Sequence, residues 1–112
     1  MKKKAIILGI ETSCDETAVS IIKDTGDHIP KILANVVSSQ DKVHKKFGGV
    51  VPELAARSHL EKIDIITKKA LKISKIKISQ IDAVAATAGP GLIVCLSVGL
   101  NFAKALAAAL GK

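Results

Sequence analysis

Three carboxylates lie within one six-residue stretch near the start of the chain. Residues 11–16 read Glu-Thr-Ser-Cys-Asp-Glu, so two hydroxyls and a thiol separate Glu11 from Asp15 and Glu16. Acids held this close repel each other, and a protein that keeps them together commonly uses them to hold a metal ion, to hold a phosphate through a metal, or to move a proton. A solvated hairpin turn is the simpler alternative, and spacing alone favours it.

Apolar runs on both sides of this stretch predict the strands that must position it. The first predicted strand covers 4–10 and the second covers 17–23, with a turn at 24–27 and a third strand at 29–38. If the chain stays extended through the acidic stretch, Asp15 and Glu16 point to opposite faces. One of them would then face a cleft while the other faces solvent or a backbone amide.

The second half of the chain predicts two helices around one more strand. Residues 39–49 are a loop or a short helix, and Pro52 suits the first turn of a helix that runs to about 74. A strand at 81–86, a tight loop at 87–91 and a helix at 92–110 follow, which gives the order βββαβα. Apolar residues at steps of four and three predict the buried stripe of the first helix: Ala56, Leu60, Ile63, Ile66, Ala70 and Ile73.

Length and charge limit the possible functions. The 112 residues form one domain at most, and the net charge is +7. Arg57 is the single arginine among 17 basic residues, so lysines dominate. Lysine favours long-range attraction to a polyanion over bidentate reading of bases, although a lysine-rich solvated surface explains the charge equally well. Aromatic residues are only 2%, without Trp or Tyr, which argues against a stacking platform for unpaired bases.

The apolar segment at 92–110 is long enough to span a bilayer. Ser97, Asn101 and Lys104 nevertheless form a polar stripe along it, and glycines lie before and after the segment. A helix lying on a sheet fits this pattern better, so we expect no membrane association. Cys14 and Cys95 are far apart in sequence, which favours reduced thiols in a cytoplasmic protein.

Four stretches of the chain match one known family in order and spacing. They are GIETSCDETAVSI at 9–21, FGGVVPELAARSH at 47–59, IDAVAATAGPGL at 81–92 and SVGLNFAKALA at 97–107. Together they resemble the TsaD family, the tRNA threonylcarbamoyladenosine transferases, formerly described as O-sialoglycoprotein endopeptidases or glycoproteases. The resemblance implies an α/β fold, the ribonuclease H-like βββαβα unit of actin, sugar kinases and heat-shock ATPases. Residues 1–112 would then be one incomplete N-terminal lobe of a two-lobed enzyme, truncated before the next strand, with 81–86 left at the edge of the sheet.

The resemblance also implies site residues. Glu11, Asp15 and Glu16 would line the reaction cleft as catalytic groups. Substrate would be bound by Thr12, Ser13, Thr87, Gly89 and Gly91. The Gly89-Pro90-Gly91 loop lies between a strand and a helix, where backbone amides suit an anion, although such a loop is often only a turn. Cys14 is a poor nucleophile candidate because neighbouring acids should raise its pKa.

A second group of residues would lie at the mouth of the cleft, facing tRNA: His44, Glu53, Arg57 and His59. The alternative is structural, with Arg57 paired to Glu53 and His59 a surface residue. The aromatic residue usual for the family before the glycine pair is Tyr, so Phe47 lacks a hydroxyl that a hydrogen bond there would need.

We expect no metal site in this chain, because its three histidines and two cysteines lack the spacing of a ligand set. The resemblance implies one divalent metal, iron or zinc, held by residues beyond the end of the chain. The implied reaction moves a threonylcarbamoyl group from its adenylate to the N6 amine of a tRNA adenosine, and the chain alone should be inactive.

A non-catalytic binding module that pairs with a paralogous subunit, through helices 52–74 and 92–110, is the main alternative function. Self-association is possible through the same helices or through the edge strand. The glycoprotease activity is less well supported, because no serine–histidine or metalloprotease arrangement stands in the sequence.

Overall fold

The protein contains one mixed four-stranded sheet. A computed structural model describes residues 4–112. The strands are β1 (Ile6–Glu11), β2 (Glu16–Lys23), β3 (Lys31–Ser39) and β4 (Ala83–Ala86). The helices are α1 (Asp41–His44), α2 (Pro52–Ser74) and α3 (Ile93–Leu110). Single 3₁₀ turns follow at Lys45–Phe47 and Ile78–Gln80. The order βββαβα is confirmed, with the short α1 inserted where a loop or short helix was expected.

The strands are arranged in the order β3-β2-β1-β4. The first three form an antiparallel meander, and β4 lies parallel to β1 with Leu8 opposite Val84. The return to the sheet begins at Asp82, whose backbone amide donates to the Ile6 carbonyl at 2.8 Å. In the described part of the chain β4 has one neighbour only, so the expected edge strand is confirmed.

Both long helices pack on the same face of the sheet, α2 over β2 and β3, and α3 over β4 and β1. Strand alternation explains this, because Ile6, Leu8 and Ile10 point into the core while Ile7 and Gly9 point to the other face. Within residues 4–112 no helix covers that second face. The α/β fold class is therefore confirmed as a sheet with one covered face.

The buried stripe of α2 differs from the predicted one. Leu60 is 64% exposed and Ile73 is 53% exposed, whereas Ala56 is only half-buried. The buried residues of α2 include polar ones: Ala55, Ser58, His59, Ile63, Ile66, Thr67 and Ala70. A stripe read from hydrophobicity alone is wrong here because Ser58, His59 and Thr67 occupy positions of the helix that face the sheet.

Helix α3 is the one helix in the described chain that is long and apolar enough to cross a membrane. It packs against β1, β4 and α2, and 28% of the segment is buried within the described chain. Ser97, Asn101 and Lys104 are all exposed, as the predicted polar stripe requires. The opposite side of the helix is buried at Cys95, Gly99 and Ala103.

Candidate functional site

The acidic turn between β1 and β2 is held by its backbone carbonyls, each bound to a different element. The Ser13 carbonyl accepts a hydrogen bond from the Leu92 amide at 2.8 Å, just before α3. The Cys14 carbonyl accepts one from His59 Nε2 of α2 at 2.8 Å. The Asp15 carbonyl accepts one from the Gln40 amide at 3.0 Å, at the end of β3. Three elements therefore fix the backbone that carries the carboxylates.

The Thr12 hydroxyl is bound to α3, and the predicted contact of Thr12 with substrate through its backbone stays a prediction. Its side chain is 1% exposed. The hydroxyl donates to the Cys95 carbonyl at 2.8 Å and accepts from the Gly99 amide at 3.0 Å. These two backbone groups are four residues apart, and an α-helix bonds groups at this spacing to each other. The Thr12 hydroxyl therefore bridges one turn of α3. The expectation that this hydroxyl binds substrate is wrong because both of its hydrogen-bonding directions are used inside the fold.

The Gly89-Pro90-Gly91 loop lies directly against the acidic turn. A Cβ atom at Gly91 would lie 2.7 Å from both the Cβ and the carbonyl oxygen of Ser13. Only glycine permits this approach without movement of the turn. Thr87 enters the loop with its amide donating to the Ile10 carbonyl at 3.0 Å, which continues the β1–β4 pairing. The fold thus brings the two predicted substrate-binding segments together.

The three carboxylates do not line one cavity in the described chain. Glu11 ends β1 on the uncovered sheet face, where it lines a cavity of about 420 Å³ together with Thr87. Its Oε1 also accepts the Ser13 amide at 2.5 Å. Asp15 lines a separate cavity of about 440 Å³ with His44 and other residues of the segment that follows β3. Glu16 is exposed at the start of β2. The turn separates these groups because it carries the chain around the end of the sheet.

His44 lines the Asp15 cavity although its side chain is largely buried, whereas the burial of His59 contradicts both its predicted position at a cleft mouth and the alternative of a surface residue. His59 is 0% exposed and His44 is 5% exposed. Burial lowers the pKa of His59, against opposing effects of its bond to the Cys14 carbonyl and of the Glu11 carboxylate. Glu53 and Arg57 are both exposed, and no ion pair between them forms in the described chain.

Cys14 has the weak nucleophilicity expected of it. Burial raises the pKa of its thiol, and the charge of Asp15, a hydrogen bond with Asp15, and the charge of Glu11 raise it further. Burial also raises the pKa of Cys95. Both cysteines are free thiols.

The described residues hold no group of three or more His, Cys, Asp or Glu side chains suited to a metal ion. The donor set present in residues 4–112 therefore does not fit the divalent metal that the resemblance implies.

Two buried residues of this region escaped the sequence analysis. Gln40 is 1% exposed and Thr17 is 0% exposed, and both bond to buried histidines. A polar residue directly after a strand offers no distinguishing signal in a single sequence. The pairing of Thr17 with His59 across 42 positions is visible only in the fold.

Comparison with known proteins agrees with this geometry. The family model described as "TsaD: tRNA N6-adenosine threonylcarbamoyltransferase" matches residues 31–112. The chain belongs to the TsaD family. A tRNA N6-adenosine threonylcarbamoyltransferase of Pelagibacter ubique is 67% identical over all 112 residues, and one of Thermosipho africanus is 58% identical over 107 residues, 96% of the chain.

This TsaD-family chain spans 31% of the length of each of those two relatives. Solved structures give the fold alone. YeaZ from Pseudomonas aeruginosa superposes with a TM-score of 0.66 at 19% identity, over 96% of this chain and 41% of that one. A second Pseudomonas aeruginosa structure, described as similar to peptidase YEAZ, reaches a TM-score of 0.69 over 96% of this chain and 40% of that one.

Proposed function

We propose that this chain is part of the N-terminal lobe of a tRNA N6-adenosine threonylcarbamoyltransferase of the cytoplasm. In the reaction the adenosine N6 amine attacks the carbonyl carbon of the threonylcarbamoyl adenylate, the bond from that carbon to the phosphate oxygen breaks, and the amine loses a proton. A carboxylate of the acidic turn would accept that proton, as general bases do. The observation that carries the proposal is the turn itself, whose backbone is fixed by three elements while Asp15 lines a cavity.

No group of three or more His, Cys, Asp or Glu side chains suited to a metal ion lies within residues 4–112. We propose that such a metal is held by residues outside this chain, and no step assigned to the acidic turn depends on it. For the same reason we propose that the chain alone does not turn over substrate.

The tRNA contact would use the segment after β3, beside the Asp15 cavity. Lys42, Lys45 and Lys46 are exposed there, and Lys45 lines the cavity. Phe47 is 55% exposed, and Lys46 Nζ lies 5.2 Å from the centre of its ring. Lysines that hold phosphates beside an exposed ring that can stack on a base are a common arrangement for unpaired RNA. Phe47 thus supplies the aromatic surface that composition argued against.

A chimera tests the catalytic part of the proposal. Residues 1–112 replace the aligned segment of the Pelagibacter ubique relative, and transfer from the adenylate to an unmodified tRNA transcript is measured. Asp15→Asn or Glu16→Gln should lower kcat roughly a hundredfold, within the range of general base catalysis. Asp27→Asn, in the exposed turn between β2 and β3, is the matched control. Full rate in both turn variants would leave the acidic turn as a solvated hairpin.

The tRNA contact is tested on the 112-residue chain by fluorescence anisotropy at several salt concentrations. The double variant Lys45→Ala/Lys46→Ala should weaken binding and reduce the slope of log K against log salt by about 0.7–0.9 for each phosphate that the variant no longer neutralises. Lys68→Ala/Lys69→Ala on exposed positions of α2 is the charge-matched control. An equal weakening by both pairs would indicate attraction by net charge without a defined site.

A second candidate function, pairing with a paralogous subunit, is favoured by apolar side chains left exposed on both long helices. They are Leu60, Ile65, Ile73, Ile93 and Val94, at 44–83% exposure. Leu60 also lines a cavity of about 370 Å³ between α2 and α3 with Phe102. Large apolar side chains left exposed are typical of protein interfaces. Sedimentation of the chain over a concentration series distinguishes pairing with a different subunit from self-association. Self-association would raise the mass with concentration, whereas a chain that pairs only with a different subunit would keep the mass of a monomer.

A further inference from the structure

A chain of buried hydrogen bonds runs behind the acidic turn. Thr17 Oγ1 lies 2.7 Å from His59 Nδ1, and Gln40 Nε2 lies 3.4 Å from the same nitrogen. Gln40 Oε1 lies 2.7 Å from His44 Nε2. At the far end, the Val51 amide donates to His44 Nδ1 at 3.2 Å. The chain therefore joins β2, α2, the segment after β3 and the residue that precedes α2.

The partners determine where the protons lie. A backbone amide only donates, so His44 Nδ1 accepts and His44 Nε2 carries the hydrogen that Gln40 Oε1 accepts. A carbonyl only accepts, so His59 Nε2 carries the hydrogen bound to Cys14. An amide nitrogen only donates, and Gln40 Nε2 lies at His59 Nδ1, so this nitrogen accepts and the Thr17 hydroxyl donates to it. Gln40 Nε2 donates in addition to the Ala55 carbonyl at 3.2 Å. Both imidazoles are thus neutral and of the same tautomer.

The two ends of this chain of hydrogen bonds reach different backbone segments. At one end His59 holds the Cys14 carbonyl and the Thr17 hydroxyl, which lie on either side of Asp15 and Glu16. At the other end His44 lines the Asp15 cavity and accepts the Val51 amide. Val51 follows the exposed residues 45–47 by a few positions. No described buried side-chain nitrogen or oxygen here lacks a partner. A shift at one end therefore has to be accommodated at the other.

We propose that His59, together with Gln40 and His44, is a positioning residue that couples the proposed tRNA-contacting segment at 42–51 to the carboxylates of the acidic turn. The functional role of this coupling rests on the proposed function. The hydrogen bonds that form it do not depend on that function. His59 is 0% exposed, so it acts through the groups that it holds. It holds the Cys14 carbonyl before the two carboxylates and the Thr17 hydroxyl after them, and a displacement of catalytic groups by about 1 Å is enough to cost up to a hundredfold in rate.

Nitrogen NMR of the 112-residue chain tests the geometry. Long-range proton–nitrogen spectra should show His44 and His59 as the Nε2–H tautomer at neutral pH. An Nδ1–H tautomer at His59 overturns the proposal.

Three variants test the coupling. His59→Asn keeps an acceptor near the Nδ1 position and loses the bond to Cys14, whereas His59→Gln keeps a donor near Nε2 and loses the bond to Thr17. Each should shift the amide signals of Asp15 and Glu16, and also the amide signal of Val51. Thr17→Val removes one hydroxyl at constant shape, so it gives a reading if the histidine variants do not fold. His28→Gln is the control and should move none of these signals.

The outcome in the chimera separates this proposal from the proposed function. If the coupling exists, Thr17→Val and His59→Gln interrupt it and should lower kcat about tenfold, while KM for the adenylate stays unchanged. If they leave kcat unchanged but Asp15→Asn still reduces it, the positioning role is wrong and the transferase assignment stands. If Asp15→Asn and Glu16→Gln also leave kcat unchanged, the proposed catalytic function of the acidic turn fails. NMR changes confined to α2 itself would likewise overturn the coupling.

Discussion

Replacing Thr12 by valine removes one hydroxyl and keeps the shape of the side chain. That hydroxyl makes two buried hydrogen bonds to α3, at 2.8 Å to the Cys95 carbonyl and at 3.0 Å from the Gly99 amide. A buried hydrogen bond contributes roughly 0.5–1.5 kcal/mol, so the two together stabilise the fold by about 1–3 kcal/mol. The Cys95 carbonyl and the Gly99 amide are four residues apart in α3 and can bond each other, so neither group is left unsatisfied. The loss in the free energy of unfolding therefore stays below the larger cost of an unsatisfied buried group.

The assay is urea unfolding of the 112-residue chain followed by circular dichroism, with wild type and variant compared at equal m-value. Thr25→Val is the control because the Thr25 hydroxyl makes its bond at an exposed position, to the Ile29 carbonyl at 3.1 Å. We expect a change below about 0.5 kcal/mol there. A Thr12→Val variant that unfolds within about 0.5 kcal/mol of wild type would refute the view that this hydroxyl fastens α3 to the end of β1.

Gly91→Ala should destabilise the chain by about 1–3 kcal/mol in the same assay, because the new Cβ would meet Ser13 at 2.7 Å, whereas Gly49→Ala meets nothing within 4 Å. Leu96→Asp should unfold the chain and Ile93→Asp should not, since Leu96 is 8% exposed and Ile93 is 83% exposed; equal circular dichroism spectra of the two variants would contradict this. Stability should also fall with acidification. Burial lowers the pKa of folded His59, so the unfolded chain binds a proton more readily, and the stability that is present above about pH 6.5 decreases as the pH falls below that value. His59→Gln should flatten this pH dependence relative to wild type.

The secondary structure could be predicted from the sequence wherever one local signal, such as periodicity or a turn residue, dominated. Alternation and turn residues predicted the meander, and Pro52 marked the first residue of α2. The polar stripe of α3 correctly predicted its exposed side. The predictions went wrong where a polar side chain is buried by a specific partner. Thr12 and His59 read as polar groups available to a ligand, but partners from α3 and from the turn consume their hydrogen-bonding capacity.

The same cause explains why the site could be located along the chain but not assembled. The spacing of Glu11, Asp15 and Glu16 is local, so the acidic turn is visible in the sequence. Which cavity each carboxylate enters depends on how the turn leaves the sheet, and that path is fixed by partners far away along the chain. Glu11 and Asp15 therefore enter different cavities although they are four residues apart.

The anchors of the acidic turn come from positions 40, 59 and 92, so the geometry of the turn depends on how β3, α2 and α3 pack. Each anchor is a hydrogen bond to a carbonyl of the turn, and each comes from an element that also contributes to the buried core or is continuous with it. Displacement of either long helix therefore has to move the Ser13 or the Cys14 carbonyl. The exposed apolar side chains lie on those same helices, at Leu60 of α2 and Ile93 of α3. A partner bound to these helices would thus act on the carboxylates through the Leu92 and His59 hydrogen bonds without contacting the turn.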